Sequence, residues 1–491
     1  MHIIMIASEC APVSKVGGLA DVVDGLGREL INKGHKVEII LPYYDCMNHS
    51  LVYDLQENLV AISVSYDGKR IFCTVHRGIV HDNVCYFIRP MSEEKYFDRG
   101  IFYGAGDDEE RFTFFCLAAI ELLREIGSQP DIIHCHDWQT ALIPVLLKWK
   151  YKNTPLASSA KTCYTIHNIR HQGKLTDKSL VKAGLDPSSL TGKDSMLDDS
   201  NHGYINLMKG GVIYSDYVTT VSPNYALETR TSKLGEGLEG VLSLHANKYE
   251  GVINGVDYDT WNPATDCCIP FNYSVDTIED KFKNKEHLKK TLSLRNSFKP
   301  IISVVGRLDV QKGVHLIRHS ILSALNNGMQ FVLLGTSPDK EIAEYFFHLK
   351  HYLKNNPDCH INLTYDEELA HLIYAGSDMI LIPSLYEPCG LTQMIAMRYG
   401  TVPIVRKTGG LSDTVFDVDL SDRPNTERNG FTFNDFTYDA VELTLKRAAT
   451  TWNEKPYTFR EILLTGMKAD NSWTKPAEKY INVYNKLTGK Q

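Results

Sequence analysis

Short apolar runs of the kind that buried strands show alternate along this chain with runs of helical periodicity, and the pattern begins afresh near residue 300. Residues 3–7 form the first apolar run. Val22, Val23, Leu26 and Leu30 then recur at helical spacing, Gly34 can stop that helix in the left-handed conformation, and residues 37–41 read as the next strand. Residues 132–133 and 162–166 are further strands, followed by the polar stretches 134–137 and 167–168. The restart has the same grammar: strand 301–305, polar loop 307–312, a stripe of Val314, Ile317, Ile321 and Leu325, then Gly328 and strand 331–334. A third unit follows with strand 379–383, loop 384–388, helix 390–399, a break at Gly400 and strand 402–405. Strands alternating with helices imply parallel sheets covered on both faces, an α/β fold built from Rossmann-like domains.

With 491 residues the chain is too long for one ordinary core. The change of texture around 255–270 sets the expected division: a first Rossmann-like domain over 1–256 and a second over 257–472. A C-terminal helix over 473–491, with Ala477, Tyr480, Val483 and Tyr484 on one side, is expected to pack back on the first domain. Polar groups just past parallel strands are where open α/β sheets bind ligands, which directs attention to the strand ends.

Composition narrows the function. A hydrophobic share of 43% and a charged share of 23% are globular values, and a formal net charge of −8 argues against a general nucleic-acid binder. The 11 cysteines are odd in number, only Cys267 and Cys268 lie close together, and no pair has metal-ligand spacing. A disulfide framework and a metal site are therefore not expected, and a reducing compartment is favoured. The N-terminus lacks a basic start, and no stretch approaches the roughly 20 apolar residues of a membrane span. The expected location is the cytoplasm, with no membrane partner.

Two Lys-x-Gly-Gly-Leu segments stand out, Lys15 to Leu19 and Lys407 to Leu411. A glycine turn opening a helix points backbone N–H groups outward, and a neighbouring lysine adds a full charge, so such a turn suits an anionic ligand. Gly17 and Gly18 permit close backbone approach, and Asp21 follows; a tight turn carrying a solvated lysine is the plainer alternative. Arg307 and Lys312, leaving a strand end in GRLDVQKG, can stabilise a departing diphosphate as its charge grows, although a surface loop with charged ends would read the same way. In Glu387-Pro388-Cys389-Gly390-Leu391 a carboxylate, a rigid turn and a glycine meet at a helix start, an arrangement beyond what a cap requires. Cys389 is read as a packing residue lining the pocket, since no histidine partner stands near it. His167 follows a strand and can reach a reacting sugar, though a lone histidine is more often structural. The run His134-Cys135-His136-Asp137 imitates a metal site but lacks further ligands; it is read as strand-end polar residues, with Asp137 facing the cleft. The segment GEGLEG at 235–240 matches a dinucleotide fingerprint literally, yet no strand precedes it. Together these features suggest a phosphate-bearing donor held in a cleft between similar domains, and hence a transferase.

The motifs KVGGLADVV, HCHDWQTAL, TIHN, VTTVSPNYA, VINGVD, GRLDVQKG, PSLYEPCGLTQ and KTGGLSDTV occur in one order across essentially the whole chain. In this the chain resembles the bacterial glycogen synthases and plant starch synthases, GT-B glycosyltransferases with two Rossmann-like domains facing across a deep cleft. The resemblance implies transfer of glucose from ADP-glucose to the non-reducing end of an α-1,4-glucan such as glycogen, with retained configuration and no cofactor or metal. By motif position it implies that Lys15, Gly17 and Gly18 approach the donor phosphates and sugar, Asp21 supports that loop, and Asn254 lies near the donor. It further implies that Arg307 and Lys312 hold the diphosphate, His167 and Glu387 grip the glucosyl unit, and Gly390, Leu391 and Thr392 bind the distal phosphate. Tyr365 falls where the family places a ring against adenine. Arg170-His171, Leu207-Met208-Lys209 and the acidic loop 107–110 depart from the commonest family pattern, which bears on acceptor contacts rather than on transfer chemistry. A GT-B enzyme using UDP-glucose and a non-catalytic glucan-binding protein are the competing readings.

Overall fold

The structure, a computed structural model, describes residues 1–190, 195–201 and 203–490. It divides into two compact units, Met1–Gly255 with Trp473–Gln491, and Val256–Ser472, so the chain leaves the first unit and later returns to it.

In the first unit the strands are β1 (His2–Ile6), β2 (Lys36–Pro42), β3 (Tyr53–Tyr66), β4 (Lys69–Val80), β5 (Asn83–Pro90), β6 (Ile132–His136) and β7 (Lys161–Ile166). A small antiparallel ribbon pairs β8 (Lys174–Leu175) with β9 (Ile205–Asn206), and β10 (Tyr217–Thr220) and β11 (Tyr249–Gly251) complete the main sheet. Its order is β11-β10-β7-β6-β1-β2-β5-β4-β3. The seven strands from β11 to β5 run parallel, whereas β4 and β3 fold back antiparallel. That extension was not announced by the strand–helix alternation; its signature is the period of two in β3, where Ile62, Val64 and Tyr66 are buried between exposed neighbours. Strand β1 is central because Ile3 to Ile6 are all buried, as a strand covered on both faces requires.

Helix Gly18–Asn32 buries Val22, Val23, Leu26 and Leu30, at about 2 kcal/mol for each large side chain. It is followed by Gly34 at φ 83°. The C-terminal helix Thr474–Thr488 lies in this same unit, with Ala477, Tyr480, Val483 and Tyr484 buried. Lys33 Nζ donates to Glu478 Oε1 at 3.1 Å, and a Cβ added at Gly25 would lie 2.1 Å from Nε1 of Trp473. Small residues on helix Gly18–Asn32 thus let the returning segment seat closely.

The second unit contains β12 (Ile301–Val305), β13 (Gln330–Leu334), β14 (Cys359–Asn362), β15 (Met379–Ile382), β16 (Val402–Arg406) and β17 (Phe431–Phe433). These form one parallel sheet in the order β14-β13-β12-β15-β16-β17. Helix Val314–Asn326 covers it with Leu316, Ile317, Ile321 and Ala324. The core gathers Ile302, Phe331, Leu333, Leu381, Ile404 and Phe431 from five strands with helix residues such as Ile317 and Leu445. The helix after the EPCGL turn starts at Thr392, later than the expected 390, because Gly390 at φ 75° belongs to the turn. No helix among the described residues is long and apolar enough to cross a membrane.

Candidate functional site

Each large sheet has a point where the chain order reverses. In the first, β1 connects outward through β2 to β5, while its other neighbour β6 begins the run to β7, β10 and β11. In the second, β12 leads to β13 and β14, while its other neighbour β15 leads to β16 and β17. Loops leaving the carboxyl ends of such neighbouring strands part to opposite sides and open a crevice, the ligand site of open α/β sheets. Glu9 to Gly18 follow β1 and Asp137 follows β6; Arg307 to Lys312 follow β12 and Glu387 to Gly390 follow β15. The motif residues therefore concentrate at the two reversals.

At the first reversal the glycine loop is braced by a carboxyl group. Glu9 Oε2 accepts from the N–H of Val16 at 2.6 Å and of Gly17 at 3.0 Å, and Oε1 accepts from Tyr103 Oη at 2.6 Å. Burial pushes the Glu9 carboxyl above its usual range, the hydrogen bonds opposing this. Lys15 Nζ lies 2.8 Å from Asp21 Oδ1, in the first turn of the helix the loop opens. Gly17 is extended, and a Cβ built there meets nothing within 4 Å. The loop is thus held from behind and open in front.

Asp137 is the first residue past β6, and His134, Cys135 and His136 lie inside that strand rather than beyond it. Its backbone takes φ 56° and ψ −177°, a conformation that costs a residue with a side chain about 1–3 kcal/mol. Three bonds hold it: its N–H donates to Thr165 O at 2.9 Å, and its Oδ1 accepts from the N–H of His167 at 2.7 Å and of Asn168 at 3.3 Å. Asp137 therefore ties the end of β7 to the end of β6. Burial pushes its carboxyl up to about 7, the two backbone bonds counteracting.

His167 is buried, and burial lowers its ring to about 3, so it is neutral near pH 7. Its Nε2 lies 3.1 Å from Nδ1 of His136. His134, also lowered to about 3 by burial, has Nε2 at 2.6 Å from Thr165 Oγ1 and Nδ1 at 2.8 Å from Tyr484 Oη on the C-terminal helix. The partners of His134 are hydroxyl groups, which makes it part of the scaffold. Asn254 is buried, and its Oδ1 has no partner among the described residues.

At the second reversal a cation of one loop pairs with the carboxylate of the other. Lys312 Nζ donates to Glu387 Oε2 at 2.7 Å, and Ser384 Oγ donates to the same oxygen at 2.9 Å. Glu387 is 5% exposed, so this is a nearly buried charge held by a lysine and a hydroxyl. The Arg307 side chain is 56% exposed and pairs loosely with Asp309, its Nε lying 3.9 Å from Oδ2. Cys389 is buried, Leu391 and Thr392 are half-buried at the helix start, and Tyr365 is exposed with Oη donating to Glu367 Oε2 at 3.1 Å.

The second Lys-x-Gly-Gly segment departs from its expected use. Gly409 and Gly410 are buried, and a Cβ on them would lie 1.9 Å from Glu387 O and 2.2 Å from Cys389 O. Gly410 N–H donates to Glu387 O at 3.1 Å. These glycines approach the protein's own backbone and support the EPCGL turn; an anion has no room there. In the 235–240 segment, residues 235–238 precede the short helix Glu239–Leu244 and the last two open it, with no strand leading in.

Glu9, Tyr103, His136 and Ser384 were not among the sequence candidates. Glu9 was within reach of the rule that found His167, being a polar residue just past a parallel strand. Tyr103 was not, because it arrives from a distant loop. One group with metal-ligand chemistry occurs among the described residues, Asp266, Cys268 and His371. His371 Nδ1 and Tyr399 Oη lie 2.8 and 2.6 Å from Asp266 Oδ2, and Trp261 stacks on the His371 ring at 4.0 Å. Those partners give the group a packing role away from the motifs. None of the 11 cysteines, all of which are described, is joined in a disulfide.

A family model described as "Starch synthase catalytic domain" matches residues 2–244, and one described as "Glycosyl transferases group 1" matches residues 285–450. Glycogen synthase 2 of Methylococcus capsulatus is 50% identical over 491 residues, covering 100% of both chains. Probable glycogen synthase 2 of Nostoc sp. is 51% identical over 486 residues, 99% of each. Among solved structures, the catalytic domain of Starch Synthase IV from Arabidopsis thaliana, bound to ADP and acarbose, superposes with a TM-score of 0.96 at 44% identity, covering 99% of both chains.

Proposed function

The chain belongs to the glycogen and starch synthase family of GT-B glycosyltransferases, and from that premise we propose that it moves glucose from ADP-glucose to the non-reducing end of an α-1,4-glucan with retained configuration. The observation that carries this reading is the second crevice, where Lys312 and Glu387 pair across loops from neighbouring strands, Nζ being 2.7 Å from Oε2, with Arg307 on the same loop as Lys312. Cations beside a carboxylate suit a diphosphate leaving group next to a sugar that gains positive charge. The ADP held by the matching plant structure supports the adenine form of the donor. A cytoplasmic location belongs to the same proposal.

In this reading Arg307 and Lys312 hold the diphosphate, and Gly390, Leu391 and Thr392 take the distal phosphate, with Cys389 packed behind. Lys15, Gly17 and Gly18 approach the donor, Asp21 restrains Lys15, and Asn254 and the exposed Tyr365 serve the donor's sugar and base. His167 and Glu387 position glucose, and Asp137 serves the acceptor side. Retaining glycosidases use two carboxyl groups about 5 Å apart. The side-chain partners of Glu387 are instead a lysine and a serine. This supports a same-face transfer: the bond from the anomeric carbon to the leaving phosphate breaks as the acceptor 4-hydroxyl attacks, and that phosphate takes the hydroxyl proton.

The test is transfer of labelled glucose to glycogen from ADP-glucose against UDP-glucose. Faster transfer from ADP-glucose, lost about 100-fold or more in Arg307→Ala and Lys312→Ala, is the expected result. Preference for UDP-glucose would transfer the reading to a related GT-B enzyme, and glycogen binding with no transfer from either donor would make it a glucan-binding protein.

A further inference from the structure

We infer that His136 is a positioning residue for His167: its Nδ1–H donates to Nε2 of His167 and so confines the His167 proton to Nδ1. This rests on the reading that His167 belongs to the transfer site. The pair is 3.1 Å apart at the ends of neighbouring parallel strands, where β6 and β7 set His136 opposite Thr165 and His167 just beyond. Both rings are buried, His136 completely.

A neutral imidazole carries one N–H, and across a single contact one ring must donate and the other accept. Among the described residues His136 has no second hydrogen-bond partner. The neighbouring His134 ring, 4.1 Å away, has its nitrogens on Thr165 and Tyr484, and Nε2 of His136 is buried with no partner among the described residues. A proton on that Nε2 would be an orphaned buried donor, a rarer and costlier condition than an orphaned lone pair. The proton of His136 therefore sits on Nδ1, where it is used. His167 must then accept at Nε2 and keep its own proton on Nδ1. Burial holds both rings well below their ordinary range, so neither takes a second proton near neutrality.

The consequence is chemical. His167 offers a hydrogen-bond donor at Nδ1, and it recognises an oxygen lone pair on the transferred sugar rather than a hydroxyl proton. The tautomer of a histidine is set by the bond made at its other nitrogen. Here that bond comes from a fully buried residue.

Two-bond nitrogen–proton spectra of the full chain labelled with 15N-histidine test this, with the His167 signals assigned by their loss in His167→Gln. The expected pattern is a proton on Nδ1 of His167 and a bare Nε2; a proton on Nε2 of His167 overturns the inference without touching the proposed function. In His136→Asn the amide nitrogen can stand where Nδ1 stood, so the tautomer and most turnover should be kept. His136→Leu should scramble the tautomer and lower kcat about 10-fold with little change in the glucan KM. Equal kcat in the Asn and Leu variants also overturns it. Should the Leu variant fail to fold, the wild-type and Asn spectra decide the question. Full turnover in His167→Ala would instead sink the role proposed for His167 and leave the tautomer assignment standing.

Discussion

Lys15-Val16-Gly17-Gly18-Leu19 and Lys407-Thr408-Gly409-Gly410-Leu411 differ at one position as strings and are opposites as structures. Each follows a parallel strand region and opens a helix, Gly18–Asn32 in one case and Gly409–Thr414 in the other. In the first, Lys15, Val16 and Gly18 are exposed and the space over Gly17 is empty. In the second, Thr408, Gly409 and Gly410 are buried against the backbone of residues 387–389. A glycine pair permits close approach by something; which something is decided by what the fold brings opposite. One loop is open to solvent and the other packs beneath Glu387.

The surroundings differ in charge as well. Glu9 and Asp137, near the first loop, are buried carboxyls raised above their usual range by lost solvation. Near the second, Glu387 is held by the Lys312 ammonium at 2.7 Å. Lost solvation thus dominates at the two carboxyls of the first crevice, while at the second an ammonium lies against the carboxylate.

The largest expected effect separates the crevices by pH. Asp137, raised from its ordinary 3.8 to about 7, keeps its proton longer folded than unfolded. Its contribution to stability is full below about pH 4 and is lost as pH rises toward 7, on the order of 1 kcal/mol per pH unit. Urea denaturation of Asp137→Asn should show the variant gaining on the wild type across that window and a constant difference above it. A gap that does not change with pH would mean Asp137 is better solvated than its burial implies.

Gly410→Ala is expected to destabilise the protein by about 3 kcal/mol, since the new methyl would collide with backbone that cannot move aside. Thermal unfolding measures this; a melting temperature within a degree of wild type would remove the distinction between the loops. Next in size, Lys15→Ala should reduce kcat/KM for the donor about 10-fold through loss of a charge-assisted contact, whereas Lys407→Ala should leave it unchanged. Similar losses in both would restore the symmetric reading. Smallest is Gly17→Ala, which should alter stability by less than about 0.5 kcal/mol because its backbone is extended and the space is open. Its effect should appear in donor KM alone.

Much of the architecture was legible because burial leaves a period. The apolar runs at β1, β12 and β15 and the stripes Val22 to Leu30 and Val314 to Ile321 mark strands and helices whose faces are buried. The antiparallel pair β3 and β4 escaped because the first half of β3 buries no residue, which leaves its period of two to the last five positions. Within the site, Arg307, Lys312 and Glu387 were legible as polar residues beside a strand or helix start. Tyr103 on Glu9, Ser384 on Glu387 and His136 on His167 were not, because their meaning lies in a partner.

Local order along the chain settled the strand–helix alternation and the residues standing at strand ends, since both depend on neighbours a few positions apart. Tertiary structure alone decided which strands became neighbours, and through that which loops share a crevice. It left one glycine pair open to solvent and made the other a backbone contact. It also turned Glu9 inward as a brace and joined Lys312 to Glu387 across 75 positions of sequence. A hydrogen bond or an ion pair reads distance in space, and separation along the chain carries no record of it.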